Sequence, residues 1–338
     1  MSGPVPEAVR EMALAEAATL PETLLRANRP ILVRGLVAHW PSARAGRESA
    51  AAAADYLRHH YQGEAVVAWQ GAPEDRGRFF YNRDFSGFNF SVTRTRLDQL
   101  LDLLVASSGE LDAPALYMGS TTVDTCLPGF RAANELPFGD LDPLVSVWIG
   151  NRTRIAAHHD VPDNLACVIA GRRRFTLFPP GQVGNLYIGP LDFTPAGQAI
   201  SLVDFAQPDL ARHPRFVEAL AHAQVAELEA GDALFVPSLW WHHVEALDAF
   251  NVLINYWWRQ VPAYMDSPMN ALMLGLMTLR DLPSAERQAW QQLFQHYIFE
   301  ADERTAAHIP ESVRGVLKTF DADATRSLRA RLLKRLNR

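Results

Sequence analysis

The sequence predicts a mainly β fold with flanking helices, and three observations point there. Between Tyr117 and Trp258 short β-rich runs alternate with turn formers, the pattern of a closed or double-sheet β architecture. Few stretches inside that span have the length and period of a helix. Segments with helical character lie before it, up to Leu104, and after it, beyond Pro262.

Taken in order, Glu7 to Leu25 holds good helix formers interrupted by Pro21, which predicts two short helices meeting at that proline. Pro30 opens Ile31 to Val37, a β-rich run ended by His39-Trp40-Pro41 and read as a buried strand. The alanines from Ala50 to Ala54 lead into Asp55-Tyr56-Leu57 as a packed helix, and Glu64 to Gln70 reads as a strand. Phe79 to Phe90 crowds Phe79, Phe80, Tyr81, Phe85, Phe88 and Phe90 together. So aromatic a loop either closes one end of the core or forms a wall of a substrate cleft. Leu97, Leu100, Leu101 and Leu104 recur at helical spacing and need only a core to face.

Ala115 to Met118 and Pro143 to Ile149 are strands, with a loop rich in Pro, Gly and Asp at 124–143 between them. After Pro180 an irregular segment runs to about Gln207, then a short helix near Phe216 to Ala223. Long loops inside compact domains tend to carry function. Asn251 to Trp258 is the last strand. Beyond it, Leu272, Leu276 and Leu279 mark one helix, and Trp290, Leu293, Phe294 and Tyr297 a second. Leu328, Leu332, Leu333 and Leu336 mark a third, whose outer face carries Arg326, Arg329, Arg331, Lys334 and Arg335. A solvated face helped by the helix dipole accounts for those charges.

The chemistry concentrates in Ile155 to Pro180. Residues two apart on a strand point to one side, so His158 and Asp160 can present an imidazole and a carboxylate to one point. A third group comes from Trp240-Trp241-His242-His243, where either histidine could face inward. Two imidazoles and one carboxylate on one face suit a non-haem Fe(II) site. Roughly one His-x-Asp triplet is expected by chance in a chain of this composition, so the context carries the weight. In the strand after Gly171, Arg173 shares a side with Phe175 and Leu177, while Arg172 and Arg174 share the other. An inward guanidinium must be paired, by an anionic ligand or by an internal carboxylate.

At 338 residues and 48% hydrophobic the chain can bury a large core, as one elaborate domain or two. A net charge of -6 argues against a nucleic-acid partner. Two cysteines, Cys126 and Cys167, make no disulfide framework. No apolar run is long enough to span a bilayer and no secretory leader is evident, so no membrane association and a cytoplasmic setting are expected.

These residues together resemble the JmjC group of cupin-like Fe(II)- and 2-oxoglutarate-dependent oxygenases, and within it the protein asparaginyl hydroxylases. The matching runs are His-His-Asp at 158–160, Leu-Phe-Pro-Pro at 177–180, Gly-Asp-Ala-Leu-Phe-Val-Pro at 231–237, Trp-Trp-His-His-Val-Glu at 240–245 and Asn-Tyr-Trp at 255–257. The resemblance implies a double-stranded β-helix, or jelly roll, at 115–262, preceded by a mixed α/β segment at 1–114 and followed by a helical dimerisation region at 263–338. It selects His242 over His243, giving His158, Asp160 and His242 as ligands of Fe(II). It places Arg173, Tyr117, Asn164 and Asn255 about 2-oxoglutarate and O2. Two departures stand out: Arg173 where the family has lysine, and Ile155 where a threonine is expected. The implied reaction is C–H hydroxylation of a protein or peptide side chain, with release of succinate and CO2. A small-molecule hydroxylase and a non-oxidative metal-binding cupin are the alternatives.

Overall fold

A strand that is apolar at successive positions has no face to offer water and must be covered on both sides. Leu165 to Ala170 is such a run, and much of the chain is arranged to cover it. The computed structural model describes residues 6–13, 20, 22–110 and 112–337. The first part of the chain forms β1 (Glu7–Ala8), β2 (Arg10–Glu11), α1 (Glu22–Leu25), β3 (Ile31–Val33), α2 (Pro41–Glu48), α3 (Ala50–His60), β4 (Ala65–Gly71), β5 (Arg78–Phe79), β6 (Phe90–Arg96) and α4 (Leu97–Ala106). The middle forms β7 (Ala115–Thr122), α5 (Val123–Cys126), β8 (Leu144–Gly150), β9 (Arg154–His158), β10 (Asp163–Ala170), β11 (Arg173–Phe178), α6 (Phe216–Ala221), β12 (Gln224–Leu228), β13 (Ala233–Val236), β14 (Trp241–Ala246) and β15 (Asn251–Trp258). Helices α7 (Pro268–Thr278), α8 (Ser284–Phe294) and α9 (Ala322–Leu336) follow. The chain forms two compact units, Met1–Arg259 and Gln260–Arg338.

Among the described residues the strands make two sheets, in the orders β1-β12-β11-β14-β9-β5 and β2-β3-β13-β10-β15-β8-β7-β4-β6. The chain crosses between them repeatedly: β8, β10, β13 and β15 lie in the larger sheet, and β9, β11, β12 and β14 in the smaller. With antiparallel pairing throughout this core, that is the jelly roll. Side-chain alternation then explains the two-sided burial of β10. Ala166 and Val168 pack inward with Phe175, Leu177 and Val244 of the smaller sheet. Leu165, Cys167 and Ile169 pack outward in the cluster that holds Ala43 of α2, Leu57 of α3 and Leu101 of α4. The smaller sheet shows the opposite economy, since Arg174 on its outer face pairs with Glu227 at 2.6 Å in the open.

The helices expected at α3 and α4 are present, and the four leucines at helical spacing in α4, Leu97, Leu100, Leu101 and Leu104, are buried. Two expectations need correction. Glu7 to Glu11 is not helical: β1 pairs in parallel with β12, and β2 with β3. Sheet edges with unpaired backbone groups capture a segment whose own preference is helical. Past Pro21 the reading holds, with Glu22 to Leu25 helical as α1, while 14–19 and 21 lie outside the described residues. The strand read from Ile31 to Val37 ends at Val33. Arg34 there bonds Asp232 at 2.7 Å, and Gly35 turns the chain at φ +66°.

Helix α2 lies so close to β10 that a Cβ on Gly46 would sit 1.9 Å from the carbonyl oxygen of Ile169. Backbone cannot yield as a side chain would, so the helix must lift off the sheet. Gly46→Ala is therefore expected to lower stability by about 2–3 kcal/mol, read as a lower urea midpoint at unchanged slope.

Candidate metal centre

Strand β9 ends at His158, the chain turns through Asp160, and β14 lies antiparallel beside β9 with His242 opposite His158. The two imidazole centroids are 4.3 Å apart. One ligand atom from each of His158, Asp160 and His242 falls within 4.8 Å of the others, and His242 Nε2 lies 3.7 Å from Asp160 Oδ2.

Each histidine is oriented by its own strand. Nδ1 of His158 is 3.0 Å from the Ala156 carbonyl, and Nδ1 of His242 is 3.0 Å from that of Trp240. A carbonyl oxygen only accepts, so Nδ1 carries the hydrogen and, in the neutral ring, Nε2 keeps its lone pair. His242 is neutral at physiological pH: burial, then the neighbouring His158, push its pKa down to about 4 against the pull of Asp160. The Nε2 atom of His242 thus faces the side chain of Asp160, beside the imidazole of His158. The donor set fits Fe(II).

These residues line a cavity of about 370 Å³ with Arg173, Tyr117, Asn164 and Asn255. That volume lies in the range of small-molecule sites. Arg173 is 2% exposed, and among the described residues no carboxylate pairs with it and its Nε has no partner. Its strand neighbours are satisfied outside, Arg172 by Asp248 and Arg174 by Glu227. Burial lowers the Arg173 pKa to about 10 despite the nearby Tyr117, and raises that of Tyr117. The reading of an internal carboxylate partner for Arg173 is not met. The amide of Asn255 is held on both sides, its Oδ1 accepting from Trp148 Nε1 at 2.7 Å and its Nδ2 donating to Asn164 Oδ1 at 3.3 Å.

His243 faces the other way. It sits opposite Thr176 with its ring 4.4 Å from that of Phe205, and His159 packs edge-on against Trp241 at 4.6 Å. Of the aromatic stretch, both readings hold in part: Phe79 lines the cavity, whereas Tyr81, Phe80 and Phe88 pack with Phe193 and Ile200 beside it. Tyr81 donates to the Phe193 carbonyl at 2.6 Å and Phe88 stacks on the Phe193 ring at 5.1 Å, while Pro195 and Ala196 beyond it line the cavity. The sequence does not single out Trp148, although its alternation with Val147 and Ile149 sets it on the opposite face of β8.

The residues at 17–264 match the cupin-like domain family, and the chain belongs to that family, in its JmjC-type branch. Over shorter stretches it is similar to proteins of stated role. It is 33% identical over 129 residues to lysine-specific demethylase JMJ31 of Arabidopsis thaliana, covering 36% of this chain and 23% of that protein. It is 36% identical over 106 residues to human tRNA wybutosine-synthesizing protein 5, covering 31% and 30%. Lysine-specific demethylase 8 of Xenopus tropicalis is 24% identical over 234 residues, covering 68% of this chain and 48% of that protein. The matched stretch is less than half the length of each of these relatives.

The opposed faces of His242 and His243 lead to different outcomes on truncation. His242→Ala is expected to weaken anaerobic Co(II) binding by about 100-fold or more, the upper end of what orienting groups alone cost. His243→Ala leaves it within about threefold.

Proposed function

We propose that this protein is an Fe(II)- and 2-oxoglutarate-dependent dioxygenase that hydroxylates a C–H bond of an uncharged group. The observation that carries the reading is the coincidence, in one cavity, of the two-histidine, one-carboxylate face and a buried arginine with no internal counterion. When bound, iron and 2-oxoglutarate supply the oxidation: O2 is consumed, 2-oxoglutarate leaves as succinate and CO2, and one oxygen atom enters the substrate. The chain's own residues do the rest. His158, Asp160 and His242 would hold the metal from one side of the cavity. Arg173 would bind the far carboxylate of 2-oxoglutarate, and its guanidinium could supply the donor that Ile155 does not. Tyr117, held protonated by burial, donates to the same carboxylate. Asn255 orients Asn164 toward the ligand, and Phe175, Val244 and Leu253 exclude water.

Apart from Asp160, no acidic side chain of the described residues lines the cavity. A methylammonium would lose its hydration there and meet no free carboxylate. Hydroxylation of a neutral side chain or small molecule is therefore favoured over removal of an N-methyl group. The rival reading, a metal-binding cupin with no cosubstrate, draws on Ile155. Anaerobic addition of 2-oxoglutarate to the Fe(II) protein should produce a visible charge-transfer band, and its absence would favour the rival. Arg173→Ala should raise the 2-oxoglutarate concentration needed for the band by on the order of 100-fold, since it leaves a buried carboxylate unpaired. Arg173→Lys should recover part of that loss.

We also propose that the unit Gln260–Arg338 associates with a second copy. Among its described residues only Ala306 is buried, while Trp290, Leu293, Tyr297, Leu332 and Leu333 are exposed. Helices so uncovered need a partner to hold them. Sedimentation should give twice the chain mass, and Leu332→Asp combined with Leu333→Asp should reduce it to one; a monomeric parent protein would end this reading.

A further inference from the structure

Between β13 and β14 the chain makes the turn Pro237-Ser238-Leu239-Trp240, and its backbone is unusual. Leu239 has φ +65°, a left-handed conformation that a branched apolar residue rarely adopts. Its side chain is 45% exposed, so no buried packing offsets the strain. The compensation lies in hydrogen bonds, three of which run to one short segment of chain. The Leu239 amide donates to the main-chain carbonyl of Asp160 at 2.9 Å. The Ser238 hydroxyl donates to the Val161 carbonyl at 2.6 Å, and the Ser238 amide donates to Asp163 Oδ1 at 2.9 Å. On the far side, Trp240 closes the turn onto the Pro237 carbonyl at 3.2 Å, and its indole donates to the Asn28 carbonyl at 3.1 Å.

The segment so gripped is the one that carries the carboxylate ligand, and the strand that leaves the turn carries His242. Asp160 itself lies beyond the end of β9, where no sheet hydrogen bonds fix it. We propose that Ser238 and Leu239 form a clasp that fixes the Asp160 carboxylate opposite His242 before any metal arrives, with Ser238 as a positioning residue. Strain of this kind persists where the surroundings over-determine it, and it is concentrated at functional sites. The inference rests on the reading of His158, Asp160 and His242 as a metal site.

The test uses the full chain, free of metal and of oxygen, titrated with Co(II) while its visible absorption is followed. Ser238→Ala should weaken Co(II) binding by about tenfold, as loss of a group that orients a ligand does. Hydrogen exchange in the peptide spanning residues 237–241 of the metal-free protein should quicken. Leu104→Ala, a core truncation in α4, provides the comparison: it lowers the melting temperature but should leave Co(II) affinity within about twofold, because its buried neighbours are remote from the site. Unchanged affinity or unchanged exchange in Ser238→Ala overturns the clasp, and so does an equal loss of affinity in Leu104→Ala. A parent protein that takes up no Co(II) overturns the metal reading itself, and the clasp with it.

Discussion

The site depends on one register, the antiparallel pairing of β14 with β9 that sets His242 opposite His158. In a sheet a slip by one residue sends every side chain to the other face. Here it would exchange His242 for His243, and the imidazole beside Asp160 for a ring packed on Phe205. The register is supported by the next strand. Strand β11 pairs with β14 over six positions, from Arg173 with Ala246 to Phe178 with Trp241. That second pairing also decides that Arg173 enters the cavity while Arg172 and Arg174 reach salt bridges outside. Metal face and cation are therefore consequences of the same strand alignment.

What the register requires is a sheet on the opposite wall that does not yield. The larger sheet meets this at its centre, where β10 and β15 are buried on both faces, one against the jelly-roll interior and the other in the cluster that holds α2, α3 and α4. Asn164 and Asn255 sit on adjacent strands of that sheet, at positions where polar groups are affordable because each amide finds a partner. The helices preceding the jelly roll thus act on the chemistry indirectly, by denying the larger sheet any freedom to shift.

Much of this was legible in the residues, for reasons that differ from one element to the next. The parity of Arg173 and the leucine period of α4 are local properties, and both appear in the structure as read. The choice between His242 and His243 was not local: the pairing of β14 with β9 changes register between His242 and Val244, and parity counted along a strand does not survive such an irregularity. Glu7 to Glu11 reads as helix because its strand partner, Gln224 and Val225 for β1, is distant in the chain. Trp148 escaped notice because its importance lies in a bond to Asn255 on the neighbouring strand. The role of Ser238 likewise rests on partners distant in the chain, at Val161 and Asp163.

Phe193 joins two loops that are far apart in sequence, the aromatic hairpin around Tyr81 to Phe88 and the segment that brings Pro195 and Ala196 to the cavity. The wall they build is a composite, with the Phe193 carbonyl and ring bridging the two loops. Divergence toward a new substrate would then have to proceed through paired changes. A loop graft that carries only one half would deliver a wall without its buttress. Among relatives, these two segments should vary together, and the ring that bridges them should mark which combinations can be exchanged.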